Sequence, residues 1–243
     1  MSIFAAMLAL YRIYQLLVML PLMAAVTIVA AVITATGSIA FGGRWWGYYP
    51  AKIWARIMCR LTLVSVEVRG RELIDPNTSY VFVANHQGAY DIFSIYGFLG
   101  HNFKWMMKRS LEKIPLVGWA CKRAGHIYVD HTAHGIAATM KAAQRQLAGG
   151  MSLVVFPEGA RTLTGKMGRF KRGAFALAQE FSLPVVPLTI DGAFAVMPRT
   201  SKIPRPGRII LTIHPAIDSA DPDVMELSRK AIASALDAEK AIG

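Results

Sequence analysis

Tyr80-Val81-Phe82-Val83-Ala84-Asn85-His86-Gln87-Gly88-Ala89-Tyr90-Asp91 begins as a strand and ends as the start of a helix. Residues 80–84 form a short apolar run of β-branched and aromatic side chains, the pattern of a strand covered on both faces. After Asp91, Ile92, Phe93 and Ile95 begin an apolar helical pattern. The turn between them puts polar side chains at a sheet edge. There the Asp91 carboxylate can fold back on one imidazole nitrogen of His86, fixing its tautomer and stabilising an imidazolium. The second nitrogen is then free to take a proton from a hydroxyl that the substrate brings. A capping Asp91 beside an incidental His86 has the same spacing, so this pair alone leaves both readings open.

The same alternation of elements extends outward. Leu63–Val68, Ile127–Val129, Leu153–Phe156, Val185–Ile190 and Ile209–Ile213 also read as strands. Between them, Ile136, Met140, Ala143 and Leu147 share one helix face, and Gly149-Gly150 ends that helix. Residues 174–181 form a shorter helix, and Asp221-Pro222 starts a C-terminal one carrying Val224, Leu227 and Leu236. The expected fold is layered α/β, a mixed or mostly parallel sheet flanked by helices. It occupies residues 63–243 and is preceded by a membrane-associated helical segment, residues 1–62.

That first segment is set apart by its charge. Arg12, Arg44, Lys52, Arg56 and Arg60 precede the first acid, Glu67, and no charge interrupts residues 13–43. As one helix this run extends about 46 Å, against a hydrocarbon core about 30 Å thick. It is long enough to span once, or to fold back at Pro21, Gly37 or Gly42-Gly43. Trp45, Trp46, Tyr48 and Tyr49 form an aromatic belt, followed by a helix with Pro50 in its first turn. Lys52, Arg56 and Arg60 line one face of that helix, and Ile53, Ile57 and Leu61 another. Both an interfacial helix facing lipid phosphates and a helix packed on the next domain fit this pattern. The net charge of +12 points to phosphate-bearing partners, and the 54% apolar composition favours anionic lipid over nucleic acid. The basic flank puts the following domain on the cytoplasmic side of the inner membrane. Two distant cysteines, Cys59 and Cys121, read as reduced thiols. His126, His131 and His134 span a strand end and a loop with no cysteine nearby, and no metal site is expected there.

A second polar turn, Phe156-Pro157-Glu158-Gly159-Ala160-Arg161, follows another strand. Pro157 ends the ladder, Gly159 permits a sharp turn, and Arg161 can hold a phosphate through two parallel hydrogen bonds. Glu158 can accept from a substrate hydroxyl or orient Arg161. Lys166, Arg169, Lys171 and Arg172 follow with no acid among them, and form either a phosphate pocket or a solvated loop.

Taken together, residues 60–215 resemble the glycerolipid acyltransferases, specifically the bacterial 1-acylglycerol-3-phosphate acyltransferases. Four ordered blocks carry the resemblance: His86 with Asp91, Gly125–His131, Phe156–Arg161 and Val186–Gly192. Lys108-Arg109-Ser110-Leu111 and Ile114-Pro115-Leu116-Val117-Gly118-Trp119 also match the family's wording. The family usually has arginine at His131 and threonine at Ala160, departures that touch acceptor binding and not the base. The resemblance implies acyl transfer from acyl-CoA or acyl-carrier protein to the sn-2 hydroxyl of 1-acylglycerol-3-phosphate. His86 would be the base, with Asp91 orienting it. Lys108, Glu158, Gly159, Arg161, Lys166, Arg169 and Lys171 would hold the acceptor, with no metal or redox cofactor. Another lyso-lipid acceptor, such as a lyso-ornithine lipid, is the neighbouring possibility. A non-catalytic membrane adaptor is the more distant one.

Overall fold

The computed structural model describes residues 3–129 and 133–242. Strand β2 (Val81–Ala84) is buried along its whole length at the centre of a seven-stranded sheet. The order is β1-β7-β6-β2-β5-β3-β4, with β1 at Val64–Arg69, β3 at Phe103–Lys108, β4 at Ile127–Val129, β5 at Ser152–Val155, β6 at Val185–Asp191 and β7 at Gly207–Ile213. Every pairing is parallel except β6 with β7. The sheet is mixed and mostly parallel, as the sequence implies.

Period-two alternation distributes β2 between two cores. Phe82 and Ala84 enter the cluster that contains Ala55, Tyr90, Ile95 and Leu99. These residues belong to helices α4 (Tyr49–Leu61) and α5 (Tyr90–Phe98) and to the residue just past α5. Val81 and Val83 enter the opposite cluster with Phe175, Ala178, Ile232 and Leu236. Beside it, Ala143 and Leu147 of α7 (Ala133–Ala148) pack with Leu177 of α8 (Gly173–Glu180) against β4 and β5. The sheet is therefore covered on both faces, with α10 (Val224–Ile242) joining α7 and α8 on the second.

The strand β3 is absent from the sequence reading. Lys104 interrupts its apolar run, yet Lys104 is only 2% exposed. Its Nζ donates to the Gly43 carbonyl at 2.6 Å, and its aliphatic stem fills the interior. Burial brings its pKa down to about 8, with the Arg44 charge adding to the effect.

The N-terminal run is one rod and not a folded-back hairpin. Helix α1 (Ile3–Tyr14) passes through a π segment, Gln15–Met19, into α2 (Leu20–Phe41). Pro21 lies two residues past the π segment, where its missing N–H would leave a carbonyl unpaired in a regular helix. Gly37 is helical, and its missing side chain makes room for Trp46 of α3 (Gly43–Trp46). A Cβ on Gly37 would lie 2.2 Å from the Trp46 ring. The break comes at Gly42, with φ 88°. Residues Ala9–Phe41 are long and apolar enough to cross a membrane. The rod is also fastened to the rest of the molecule. Tyr14 Oη donates to the Leu61 carbonyl (2.8 Å), Gln15 Nε2 to the Pro204 carbonyl (2.8 Å) and Trp54 Nε1 to Thr27 Oγ1 (3.0 Å).

In α4 the inward face is Ala55, Met58 and Cys59, whereas Ile53 is 59% exposed. Its basic side is partly used internally: Arg56 Nε donates to the Gly97 carbonyl at 2.8 Å and ties α4 to α5.

Candidate active site

Parallel strands end at a common edge, where an α/β fold places its ligands. The C-terminal ends of β2, β3, β5 and β6 all lie there. His86 follows β2, Lys108 closes β3, Phe156 follows β5, and Gly192 follows β6. The register Val83↔Val155 sets the first two polar turns side by side.

The His86 ring is fixed at one edge and on one face. Its Nδ1 lies 2.6 Å from Asp91 Oδ2. That same oxygen accepts the Gly88 N–H at 2.9 Å. Phe156 stacks on the imidazole with centroids 3.9 Å apart and planes 8° from parallel, and Trp105 stacks behind Phe156. Asp91 is fully buried at the N-terminal turn of α5. Burial pushes its carboxyl above the ordinary range, while the His86 and Gly88 hydrogen bonds pull it back. With Nδ1 committed, Nε2 is the ring nitrogen left for a ligand, and the side chain keeps 16% exposure towards the cavity.

Glu158 joins the two turns. Its Oε1 accepts the backbone N–H of His86 and its Oε2 that of Gly168, each at 2.7 Å. The Thr162 N–H adds a bond to the His86 carbonyl at 2.9 Å. Both carboxylate oxygens thus hold backbone, so Glu158 fixes the base's turn and the 162–168 loop. Burial raises its pKa, opposed first by the Gly168 bond. Gly159 has φ 75°, a left-handed value that glycine adopts freely. A Cβ there would lie 2.8 Å from Lys171 Nζ, so this ammonium sits over the turn.

A cavity of about 860 Å³ opens onto these groups. His86, Lys108, Gly159, Ala160, Arg161, Lys171 and Arg199 line its polar part. Its remaining wall is largely apolar and runs past Trp105, Met106 and Ile92 to Ala30, Ala31 and Thr34 of α2. Lys166 and Arg169 do not line it; they stand exposed on the loop beyond. Sequence reasoning missed Arg199, which lies past the end of the fourth block and belongs to no motif. It reaches the site because Ala89 N–H bonds the Met197 carbonyl at 3.2 Å, docking this segment on the base's own turn. The stacking role of Phe156 was also illegible, although its residue type was the available signal.

His126, also on the cavity wall, is buried and neutral. The Trp105 N–H donates to its Nδ1 at 3.2 Å, which leaves the hydrogen on Nε2 facing Tyr96 Oη at 2.7 Å. Burial, followed by the Lys104 charge, lowers its pKa to about 3. Asp130 and His131 lie outside the described residues, and His134 belongs to α7. Among the described residues no three His, Cys, Asp or Glu side chains group as metal ligands.

A buried carboxylate–imidazole pair beside a cationic wall is what acyl transfer to a phosphate-bearing alcohol needs. The sequence agrees: residues 65–191, more than half of the chain, match the acyltransferase family, and the chain belongs to it.

Its relatives are more specific. It is 36% identical over 183 residues to a 1-acyl-sn-glycerol-3-phosphate acyltransferase of Chlamydomonas reinhardtii, covering 72% of this chain and 54% of that protein. It is 34% identical over 170 residues to the 1-acyl-sn-glycerol-3-phosphate acyltransferase of Pseudomonas aeruginosa, covering 68% and 65%. The chain spans about half the length of several curated relatives that it matches. The crystal structure of the 1-acyl-sn-glycerophosphate acyltransferase PlsC from Thermotoga maritima shares the fold. Its TM-score is 0.73 at 24% identity, covering 88% of this chain and 95% of that one.

Proposed function

We propose that this chain moves a fatty acyl group from acyl-CoA or acyl-carrier protein to the sn-2 hydroxyl of 1-acylglycerol-3-phosphate, forming phosphatidate. One observation carries the reading. The His86–Asp91 pair, closed at 2.6 Å, borders a cavity that is cationic at one part and apolar over most of its wall. Such a cavity suits an amphiphile with a phosphate head. The names of the relatives support the same acceptor.

His86 Nε2 takes the proton of the acceptor hydroxyl as its oxygen attacks the thioester carbonyl carbon. Asp91 stabilises the resulting imidazolium through Nδ1–H. The tetrahedral oxyanion collapses, the C–S bond breaks, and the departing thiolate takes the proton back from Nε2. Arg161, Lys108 and Lys171 hold the acceptor phosphate, with Arg161 as the bidentate partner. Glu158 and Gly159 shape the turn that presents Arg161. The apolar wall accommodates hydrocarbon. No metal or redox group takes part in these steps. On this reading the protein sits on the inner membrane, with this domain on the cytoplasmic side and anionic lipid beneath it; the long apolar rod and the basic flank support that position.

The test is incubation of purified protein with labelled lysophosphatidate and each donor, followed by identification of the lipid formed. Phosphatidate is expected. Preference for a phosphate-free lyso-lipid would overturn the acceptor assignment. His86→Ala is expected to abolish transfer while circular dichroism and vesicle binding stay at parental levels. A folded His86→Ala protein working at the parental rate would remove the base.

A further inference from the structure

Between β3 and β4 the chain forms a knob that the acyl-transfer chemistry does not use. A 3₁₀ turn, Arg109–Lys113, leads to α6 (Val117–Arg123). Gly118 N–H bonds the Ile114 carbonyl and Ala120 N–H the Leu116 carbonyl, each at 2.8 Å. Gly118 packs so tightly that a Cβ would stand 2.1 Å from the Glu112 carbonyl oxygen. Leu116 is held at φ 60° and ψ −50°, the centre of a γ-turn that Val117 N–H closes on the Pro115 carbonyl at 2.6 Å, a conformation that a leucine adopts only under strain.

This strained knob displays apolar side chains. Leu111, Ile114, Leu116 and Trp119 are 40%, 43%, 41% and 38% exposed. Leu111 and Ile114 also line the cavity, so they belong to its rim. Arg109, Lys113, Lys122 and Arg123 surround them, and the one acid, Glu112, is paired with Lys122 at 3.2 Å.

We propose that residues 109–123 are a lipid-contacting wedge that enters the headgroup region of an anionic leaflet at the rim of the cavity. Three features select a bilayer over a protein partner. Tryptophan among leucine and isoleucine, ringed by cations, suits the depth where hydrocarbon meets phosphate. The surplus of basic groups complements an anionic surface. The apolar surface is also continuous: Ala120 of α6 packs on Ala31 and Ala35 of α2, where Ile28, Val32 and Ile39 stand exposed. The wedge puts the rim in the leaflet, so an acceptor's tail passes into the cavity without crossing water; this part rests on the acyl-transfer reading.

Two measurements test it. With vesicles of phosphatidylethanolamine and phosphatidylglycerol, brominated lipids are expected to quench the emission lost in Trp119→Phe as strongly as the remaining tryptophan emission. Trp119 emission that stays unquenched while the rest is quenched overturns the wedge. Next, Leu116→Glu combined with Trp119→Glu is expected to slow transfer to vesicle-embedded acceptor about tenfold or more. Transfer to a short-chain, water-soluble acceptor stays at the parental rate. Equal loss on both acceptors, or loss on neither, overturns the proposal. So does a loss confined to acyl-carrier protein as donor, which would make the knob a protein dock. A parent inactive on both acceptors sinks the acyl-transfer reading alone, because the quenching result stands without it.

Discussion

Replacing Asp91 by asparagine separates two functions of this carboxylate, its hydrogen bond and its charge. Oδ2 accepts from both His86 Nδ1 and the Gly88 N–H. Gly88 is a fixed donor, so an asparagine must place its oxygen there and turn its NH₂ group away. The Nδ1–H tautomer of His86 therefore survives, and only the charge is lost. An ion pair at about 4 Å with an effective dielectric of about 20 is worth about 4 kcal/mol, or about 10³ in rate. Loss of the tautomer as well would cost about 10⁴. The expected fall in kcat for Asp91→Asn is thus about 10²–10³, with acceptor KM little changed. Stability should move the other way. The folded-state pKa of Asp91 lies above its unfolded value, so protonation favours the folded state. That contribution is complete below the unfolded pKa and is lost as pH rises through the folded pKa. The amide cannot carry the charge that burial disfavours at this position, so the variant should melt at the same temperature or higher. Steady-state kinetics and thermal melts at pH 8 check both. Parental turnover, or a variant that melts well below the parent, would refute the reasoning.

Arg161→Ala should raise acceptor KM and leave donor KM unchanged; an effect confined to the donor would reassign that guanidinium. Glu158→Gln leaves one oxygen for two backbone donors, so either the His86 or the Gly168 amide loses its acceptor. Hydrogen exchange at that amide should quicken about fivefold, reflecting roughly 1 kcal/mol, and unchanged exchange at both would contradict the clamp. His126 has a folded-state pKa depressed to about 3, so its contribution is present above the unfolded value and is lost as pH falls below it. Below about pH 6.5 the parent should lose roughly 1.4 kcal/mol per pH unit relative to His126→Gln. Parallel stability–pH curves would show that His126 is not held neutral.

Much of this architecture was legible because buried parallel strands need unbroken apolar runs. β2, β5 and β6 are such runs, and their turns carry the polar motifs. β3 escaped because a lysine can reach a backbone carbonyl through an apolar stem, as Lys104 reaches Gly43. Sequence spacing alone treats that position as polar. The pairing of His86 with Asp91 is local, set by one turn, and so is readable. Arg199 arrives through a backbone bond between distant segments, which no local pattern encodes. The run of bases from Arg161 to Arg172 looked uniform, but its members separate in space. Arg161 and Lys171 reach the cavity, whereas Lys166 and Arg169 ride on the far side of the glycine-rich loop.

The rod formed by α1 and α2 is bolted to the domain at Tyr14, Gln15 and Thr27. The latter two points are about 18 Å apart along the axis. A strut fixed at both ends of such a span cannot swivel like a tether. It also supplies Ala30, Ala31 and Thr34 as part of the chamber in which chemistry occurs. Cutting it away to obtain a water-soluble enzyme would therefore breach the reaction vessel and not merely untie it from the lipid.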